Sequence, residues 1–200
     1  MKLAQSLERL GTESAFTVLA EAKKLEAKGK PMIHLGLGQP DFKTPKHIVD
    51  AAKKALDDGH HGYVLSNGIL ECRQAVTRKI KKLYNQDIDP ERIIIMPGGK
   101  PTMSYAIQCF GEPGVEIVHP TPAFPIYESM INFTGAKPVP YDLTEDKDLK
   151  FKPEKILSLI TEKTKLLILI NPNNPTGSFV DKSDIDVLAE GLKKHPHVQF

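Results

Sequence analysis

The run Asn171-Pro172-Asn173-Asn174-Pro175-Thr176-Gly177 concentrates more usable chemistry than any other stretch of the chain. It follows a continuous apolar segment, Leu166 to Ile170, and precedes a helical pattern that opens near Asp181. The two prolines fix φ and bias the residue before each toward extended geometry. Gly177 allows a positive-φ exit, and Asn174 can hold out an NH₂ donor without adding charge. A buried strand emptying into a stiff, amide-rich turn is where open α/β sheets place their ligand sites. A proline-rich surface turn is the plain alternative.

Pro97-Gly98-Gly99-Lys100 lies between a strand pattern and a helical one. Amides at a helix N-terminus bind phosphate, and glycines let the anion approach, although a Gly-Gly pair also serves as a simple turn. The segment is not a nucleotide P-loop, because Ile94 stands where that pattern needs glycine and Pro101 where it needs Ser or Thr. Gly36-x-Gly38 is likewise no dinucleotide loop, since Asp41 replaces the third glycine. Phe124 follows Pro122-Ala123 after an apolar strand pattern, and Tyr63 sits in the turn Gly59-His60-His61-Gly62-Tyr63. Read singly, these are a core phenylalanine and a surface tyrosine. His60, His61, His195 and His197 have no cysteine or carboxylate partners at metal-ligand spacing and read as solvated.

The elements that must position these residues follow from periodicity. Phe16, Val18, Leu19, Ala22 and Leu25 form a helical stripe that Gly29 ends. Thr44-Pro45 reads as an N-cap and first helical position, followed by an apolar face of Ile48, Ala51, Ala52, Ala55 and Leu56. A second helix spans about 68–83, with Leu70, Cys72, Val76, Ile80 and Leu83 inward. Strands at Arg92–Met96, Val115–Val118, Lys137–Tyr141 and Lys165–Ile170 then alternate with helices at Lys100–Phe110, Phe124–Phe133, Pro153–Ile160 and Asp181–Lys194. Val198 to Phe200 opens a further strand. This alternation argues for an α/β fold, a mainly parallel sheet with helices on both faces. Pro138 and Pro140 assign Lys137–Tyr141 to an edge.

Composition excludes several classes. Twenty-seven basic against 25 acidic residues give a net charge of +2, too balanced for nucleic acid or an anionic membrane as partner. Every apolar run is shorter than a membrane span, and Met1 to Gly11 lacks the apolar core of a signal peptide. Cys72 and Cys109 both fall in helical patterns and read as reduced packing residues. The expected compartment is the cytoplasm.

Taken whole, the heptapeptide resembles the NPxNPTG signature of class I/II aminotransferases, pyridoxal-phosphate enzymes of fold type I. The resemblance runs from about Ser14 to Phe200. It implies an aspartate-aminotransferase-like large domain, with residues 1–45 as N-terminal arm and part of a small domain and 46–200 as an incomplete cofactor domain. By resemblance, Asn174 donates to the phenolic oxygen of pyridoxal 5'-phosphate, which favours the phenolate. The amides of Gly99 and Lys100 hold the cofactor phosphate, and Phe124 stacks on its ring where many members carry Trp or Tyr. Tyr63 reaches the phosphate of a neighbouring subunit, which requires a homodimer. Gly38 lies in a G-x-P-D-F segment whose backbone meets the substrate α-carboxylate. The implied substrates are an amino acid and a 2-oxo acid, and Lys100 at its position favours an acidic one such as aspartate. A fold type I C–S lyase, or a non-catalytic fragment or regulator that keeps the fold, fits the same residues.

The resemblance also implies what lies elsewhere. The family's Schiff-base lysine, pyridine-pairing aspartate, tyrosine and carboxylate-binding arginine all fall beyond a segment that the 200 residues do not contain, so no catalytic lysine is assigned in this chain. The strand Arg92–Met96 is expected to lack its sheet neighbours here and to leave apolar surface and unpaired edges exposed. The chain therefore reads as the N-terminal half of a longer enzyme, inactive alone. Intact mass of the protein from its natural source is expected to be roughly twice that of this chain, as for a two-domain enzyme. A mass matching 200 residues removes the aminotransferase reading.

Overall fold

The computed structural model describes residues 2–11, 14–36, 38–144 and 147–200; Met1 and Leu37, which fall in stretches read above, lie outside them. The elements begin with helices α1 (Gln5–Glu8), α2 (Ser14–Glu26), α3 (Lys46–Asp57) and α4 (Leu70–Tyr84). Helix α5 (Gly99–Phe110), strand β1 (Glu116–Thr121), helix α6 (Ile126–Thr134) and strand β2 (Lys137–Asp142) follow. Helix α7 (Pro153–Ser158), strand β3 (Thr164–Leu167) and helix α8 (Lys182–Leu192) complete the series. Two compact units result, residues 1–14 with 100–200, and residues 15–99.

The first unit is built on β1. All pairings are parallel, in the order β2-β1-β3, with Glu116 opposite Lys137 on one side and Thr164 on the other. Side-chain alternation along a strand sends neighbours to opposite faces. Ile117 accordingly packs in one cluster with Ile107 of α5, Met130 and Ile131 of α6 and Leu166. Val118 packs in the other with Ile156 of α7, Leu188 and Leu192 of α8 and Leu167. Helices thus cover both faces, as the alternation of patterns implies. α1 and the arm after it lie against α6. The Arg9 guanidinium donates to the carbonyls of Asn132 and Phe133 at 2.8 Å each, and Gly11 N donates to Ser129 Oγ at 3.0 Å. A cation on the last carbonyls of a helix satisfies them and complements its dipole. Periodicity gave no sign of α1.

The edge assignment of β2 holds, and the geometry gives its reason. Lys137 N donates to Val115 O and Leu143 N to Thr121 O, both at 2.8 Å. Odd-numbered nitrogens therefore face β1, and alternation turns positions 138 and 140 outward, where proline removes donors that no strand uses. Beyond β3, Gln199 makes a parallel bridge to Leu166, with Leu167 N donating to Gln199 O at 2.8 Å.

Several sequence-based expectations need correction. Arg92–Met96 is not a strand. Pro90–Arg92 forms a 3-10 turn and residues 93–96 run without a ladder, leaving Ile94 65 % exposed, because an extended segment needs a neighbour to become a strand. The cap of α3 is Pro45 rather than Thr44, since the Pro45 carbonyl accepts from Ile48 N and Val49 N. Ile48 and Leu56 on α3, and Leu70 and Leu83 on α4, are exposed rather than inward. Cys109 is exposed and so is not a packing residue.

In the second unit the buried side chain of α4 is Arg73. It donates to Gly68 O at 3.1 Å, to Pro90 O at 3.0 Å and to Glu91 Oε1 at 2.7 Å. A buried guanidinium needs acceptors, and here Nε and Nη1 find three. Gly68, at φ 95°, meets Ile95 so closely that a Cβ there would lie 2.8 Å from Ile95 Cγ1.

At the N-terminal end of the sheet, the buried Glu116 joins all three strands. It accepts from Thr161 Oγ1 at 2.6 Å, just ahead of β3, and from Lys137 Nζ of β2 at 2.9 Å. The Thr161 hydroxyl first, then Lys137, hold its carboxyl below the ordinary value of 4.5. A folded pKa below the unfolded one adds stability above the unfolded value, lost as pH falls through the folded one. Glu116→Gln is expected to cost about 1 kcal/mol near pH 7, read as a lower urea midpoint. The gap from wild type should narrow below pH 4.5; a gap constant with pH would remove the carboxylate's role.

Candidate functional site

Because β1, β2 and β3 are parallel, the segments that follow them emerge at one end of the sheet. These are residues 122–125 after β1, the described residues 143–144 and 147–152 after β2, and 168–181 after β3, counting from the strand ends and running to the next helix. The base of the last is held from both sides. Ile168 N donates to Val118 O at 2.8 Å, and the buried Tyr141 hydroxyl of β2 donates to Ile168 O at 3.0 Å. Burial pushes the Tyr141 phenol up, so it serves as a donor throughout the ordinary pH range. Phe151 meets the Tyr141 ring edge-on at 6.2 Å.

The Asn171–Gly177 turn closes on itself. Asn171 Oδ1 accepts from Val180 N at 3.0 Å, Asn173 N donates to Ser178 O and Gly177 N to Asn173 O, both at 2.8 Å. Gly177 adopts φ 70°, the positive-φ exit its residue type allows. The bonds Thr121-Pro122, Asn171-Pro172 and Asn174-Pro175 are cis.

Asn173 and Asn174 then part company. Asn173 is buried, and its Nδ2 donates to Pro122 O at 3.2 Å and to Thr176 Oγ1 at 2.9 Å. Asn174 is exposed, and its side chain has no hydrogen-bond partner among the described residues. One asparagine holds the turn and the next presents its amide outward. Asn173 Oδ1 is buried without a donor among the described residues.

Phe124 is half-buried, two residues before α6, and the ammonium of Lys100 stands 5.6 Å from its ring centroid. That distance is within reach of a cation–π contact. Lys100 and Gly99 open α5, and Gly98 before them has φ 95°. The first amides of a helix lack intrahelical acceptors, so this turn offers N–H groups and a cation to an anion. The first unit thus brings Lys100 to Phe124, and the Asn173 bond joins the Phe124 segment to the one bearing Asn174. Tyr63 and Gly38 belong to the other unit, both exposed, with open space around the Gly38 Cα where a Cβ would stand.

Pyridoxal phosphate asks for an anion cradle, an apolar face for its ring and a neutral donor for its phenolic oxygen. The Gly98–Lys100 turn, Phe124 and the unengaged Asn174 amide match that donor set in kind. Asn173 was not singled out by the sequence, nor was His119. The latter is buried on β1 with Nδ1 donating to Pro120 O at 3.0 Å, and burial pulls its pKa below the ordinary value. Its only sequence signal is a histidine inside an apolar strand. Among the described residues no cluster of three or more His, Cys, Asp or Glu could hold a metal, and no helix is long and apolar enough to cross a membrane.

The chain is 34 % identical over 195 residues to an aspartate aminotransferase of Bacillus subtilis (strain 168), covering 98 % of this chain and 50 % of that protein. It is 42 % identical over 158 residues to a probable aspartate aminotransferase of Methanocaldococcus jannaschii, covering 79 % of this chain and 42 % of the relative. The solved structure of the Thermus thermophilus aspartate aminotransferase with maleate superposes with a TM-score of 0.92 at 30 % identity, over 98 % of this chain and 51 % of that one. The chain thus spans about half the length of the relatives it matches. Residues 30–200 match the model of the family "Aminotransferase class I and II", and the chain belongs to that family.

Proposed function

We propose that the protein is a pyridoxal-phosphate-dependent aminotransferase that moves an amino group from an amino acid, aspartate in the first instance, to a 2-oxo acid. The observation that carries this reading is the division of labour between two adjacent asparagines. The buried Asn173 is fully committed through its nitrogen, while the exposed Asn174 has no partner among the described residues. The names of relatives that act on aspartate support the substrate class. The catalytic lysine belongs, in this reading, to sequence beyond residue 200.

Gly99 and Lys100 would bind the cofactor phosphate through helix-terminal amides, and Phe124 would shield one ring face from water. Asn174 would donate to the phenolic oxygen, and Tyr63 would serve a second copy of the chain across a homodimer interface. Gly38 would meet the substrate carboxylate. When bound, pyridoxal phosphate supplies the electron sink that amino-group transfer needs. A cytoplasmic location and the division of residues into 1–45 and 46–200 belong to the same proposal.

Removing a donor to an anionic oxygen disfavours the anion. Asn174→Ala in the natural-length protein should therefore move the pH midpoint of the bound cofactor's visible band upward. It should also weaken binding roughly threefold to tenfold. An unmoved midpoint with intact binding contradicts the assignment. Incubation with aspartate and 2-oxoglutarate is expected to yield oxaloacetate and glutamate, and cystathionine to yield no thiol. Thiol release without glutamate would instead identify a C–S lyase.

A further inference from the structure

The polar side chains behind the Asn171–Gly177 turn form one chain with a single possible direction. Ser178 Oγ lies 2.8 Å from Leu149 O, a carbonyl that can only accept, so the Ser178 proton points there. Thr176 Oγ1 and Ser178 Oγ are 2.7 Å apart, and with the serine proton committed the threonine must be the donor. Thr176 Oγ1 is then free to accept from Asn173 Nδ2 at 2.9 Å. The same nitrogen gives its second proton to Pro122 O at 3.2 Å. The polarity is therefore set from one end to the other, with Asn173 as the source of two protons and two carbonyls as the sinks.

This chain touches all three segments that leave the C-terminal end of the sheet. Pro122 follows β1, Leu149 follows β2, and Asn173, Thr176 and Ser178 follow β3. Leu149 takes φ 56°, a conformation rare for a bulky residue, so its carbonyl is aimed by a backbone that its surroundings must hold. The amide of Asn173 cannot be turned over, because Oδ1 would then face the Pro122 carbonyl, acceptor against acceptor. The position thus requires two donors on one short, neutral side chain, which an ionised aspartate lacks.

We propose that Asn173 is the positioning residue of the site. Through this chain it holds the segments after β1, β2 and β3 in one arrangement, and so fixes where its neighbour Asn174 presents its amide relative to Phe124. The inference rests on the reading of Asn174 as the cofactor-facing donor. Asn173 itself touches no cofactor in this account; it acts through Asn174 and the Pro122–Phe124 segment.

The test uses the natural-length protein and four variants, Asn173→Asp, Asn173→Ala, Thr176→Val and Thr176→Ser, in two measurements. Backbone hydrogen exchange without cofactor reads the coupling directly. Asn173→Asp and Asn173→Ala are expected to speed exchange at Tyr127 and Ser129, whose amides donate to Phe124 O and Pro125 O, at Leu143 and Thr144, and in 171–180, while β1 keeps its protection. Thr176→Val, which cuts the chain beyond Pro122, should loosen Leu143, Thr144 and 171–180 but spare Tyr127 and Ser129, and Thr176→Ser should behave as wild type. Should Asn173→Asp not fold, the Thr176 pair alone decides. Changes confined to 171–180 in every variant would overturn the coupling.

Titration with pyridoxal phosphate reads the consequence for Asn174. Asn173→Ala, which removes both donors without adding charge, should weaken binding about tenfold and move the pH midpoint of the cofactor band in the direction that Asn174→Ala moves it, with Asn174 intact. Combined with Asn174→Ala it should move that midpoint no further, as expected for residues acting in one unit. Coupled exchange with an unmoved midpoint would overturn the positioning of Asn174. Absence of saturable binding by wild type would refute the cofactor reading, while the exchange pattern would still decide whether the three segments are joined.

Discussion

Strand β1 is the constraint on which the first unit depends. It is hydrogen-bonded along both edges, to β2 and β3, and buried on both faces, with Ile117 and Val118 at zero exposure. Burying such a side chain fully is worth about 1.5–3 kcal/mol, and here the two neighbours sit in different clusters with different helices. A one-residue slip in pairing would exchange those faces. The register is further marked at its lower end by Glu116, which accepts from Lys137 of β2 and from Thr161 in the turn ahead of β3. Parallel pairing then has an automatic consequence. All three strands end on the same side, so the residues that follow them are gathered without any long-range design of their own.

Among the described residues, the polar groups of the Asn171–Gly177 turn divide into those that hold it and Asn174, which presents its amide. Asn171, Asn173, Thr176 and Ser178 are engaged with backbone or with one another, and Tyr141 secures Ile168 beneath them. Networks of this kind rigidify when every donor is matched. Their result is a turn whose outward amide, that of Asn174, is placed by neighbours rather than by contacts of its own. In the proposed function this gives an anionic phenolic oxygen a neutral donor on a rigid support.

The legible part of the sequence was local or periodic. The Gly177 exit, the outward prolines of β2 and the alternation of strand and helix each follow from residue type and spacing. What was not legible depends on partners far away in sequence. Asn173 reaches Pro122 across 51 positions, and nothing in an Asn-Asn pair says which member turns inward. Arg73 sits among apolar helix positions yet is the residue α4 buries, because Gly68, Pro90 and Glu91 supply its acceptors. An apolar stripe states which face would gain from burial but not what covers it. The stripe of α3 shows this, with Ile48 and Leu56 exposed where periodicity assigned them inward, whereas the exposed Ile94 and Ile95 match the expectation of a segment without its sheet neighbours. His119 hid in the same way, one polar residue within an apolar strand.

A crystal structure of the natural-length protein with pyridoxal phosphate tests the central claim most directly. Expected are phosphate density at the Gly98–Lys100 turn, the ring against Phe124, and Asn174 Nδ2 about 3 Å from the phenolic oxygen, with Asn173 still bonded to Pro122 O and Thr176 Oγ1. Cofactor bound away from these three groups, or Asn174 turned from the ring, would contradict it.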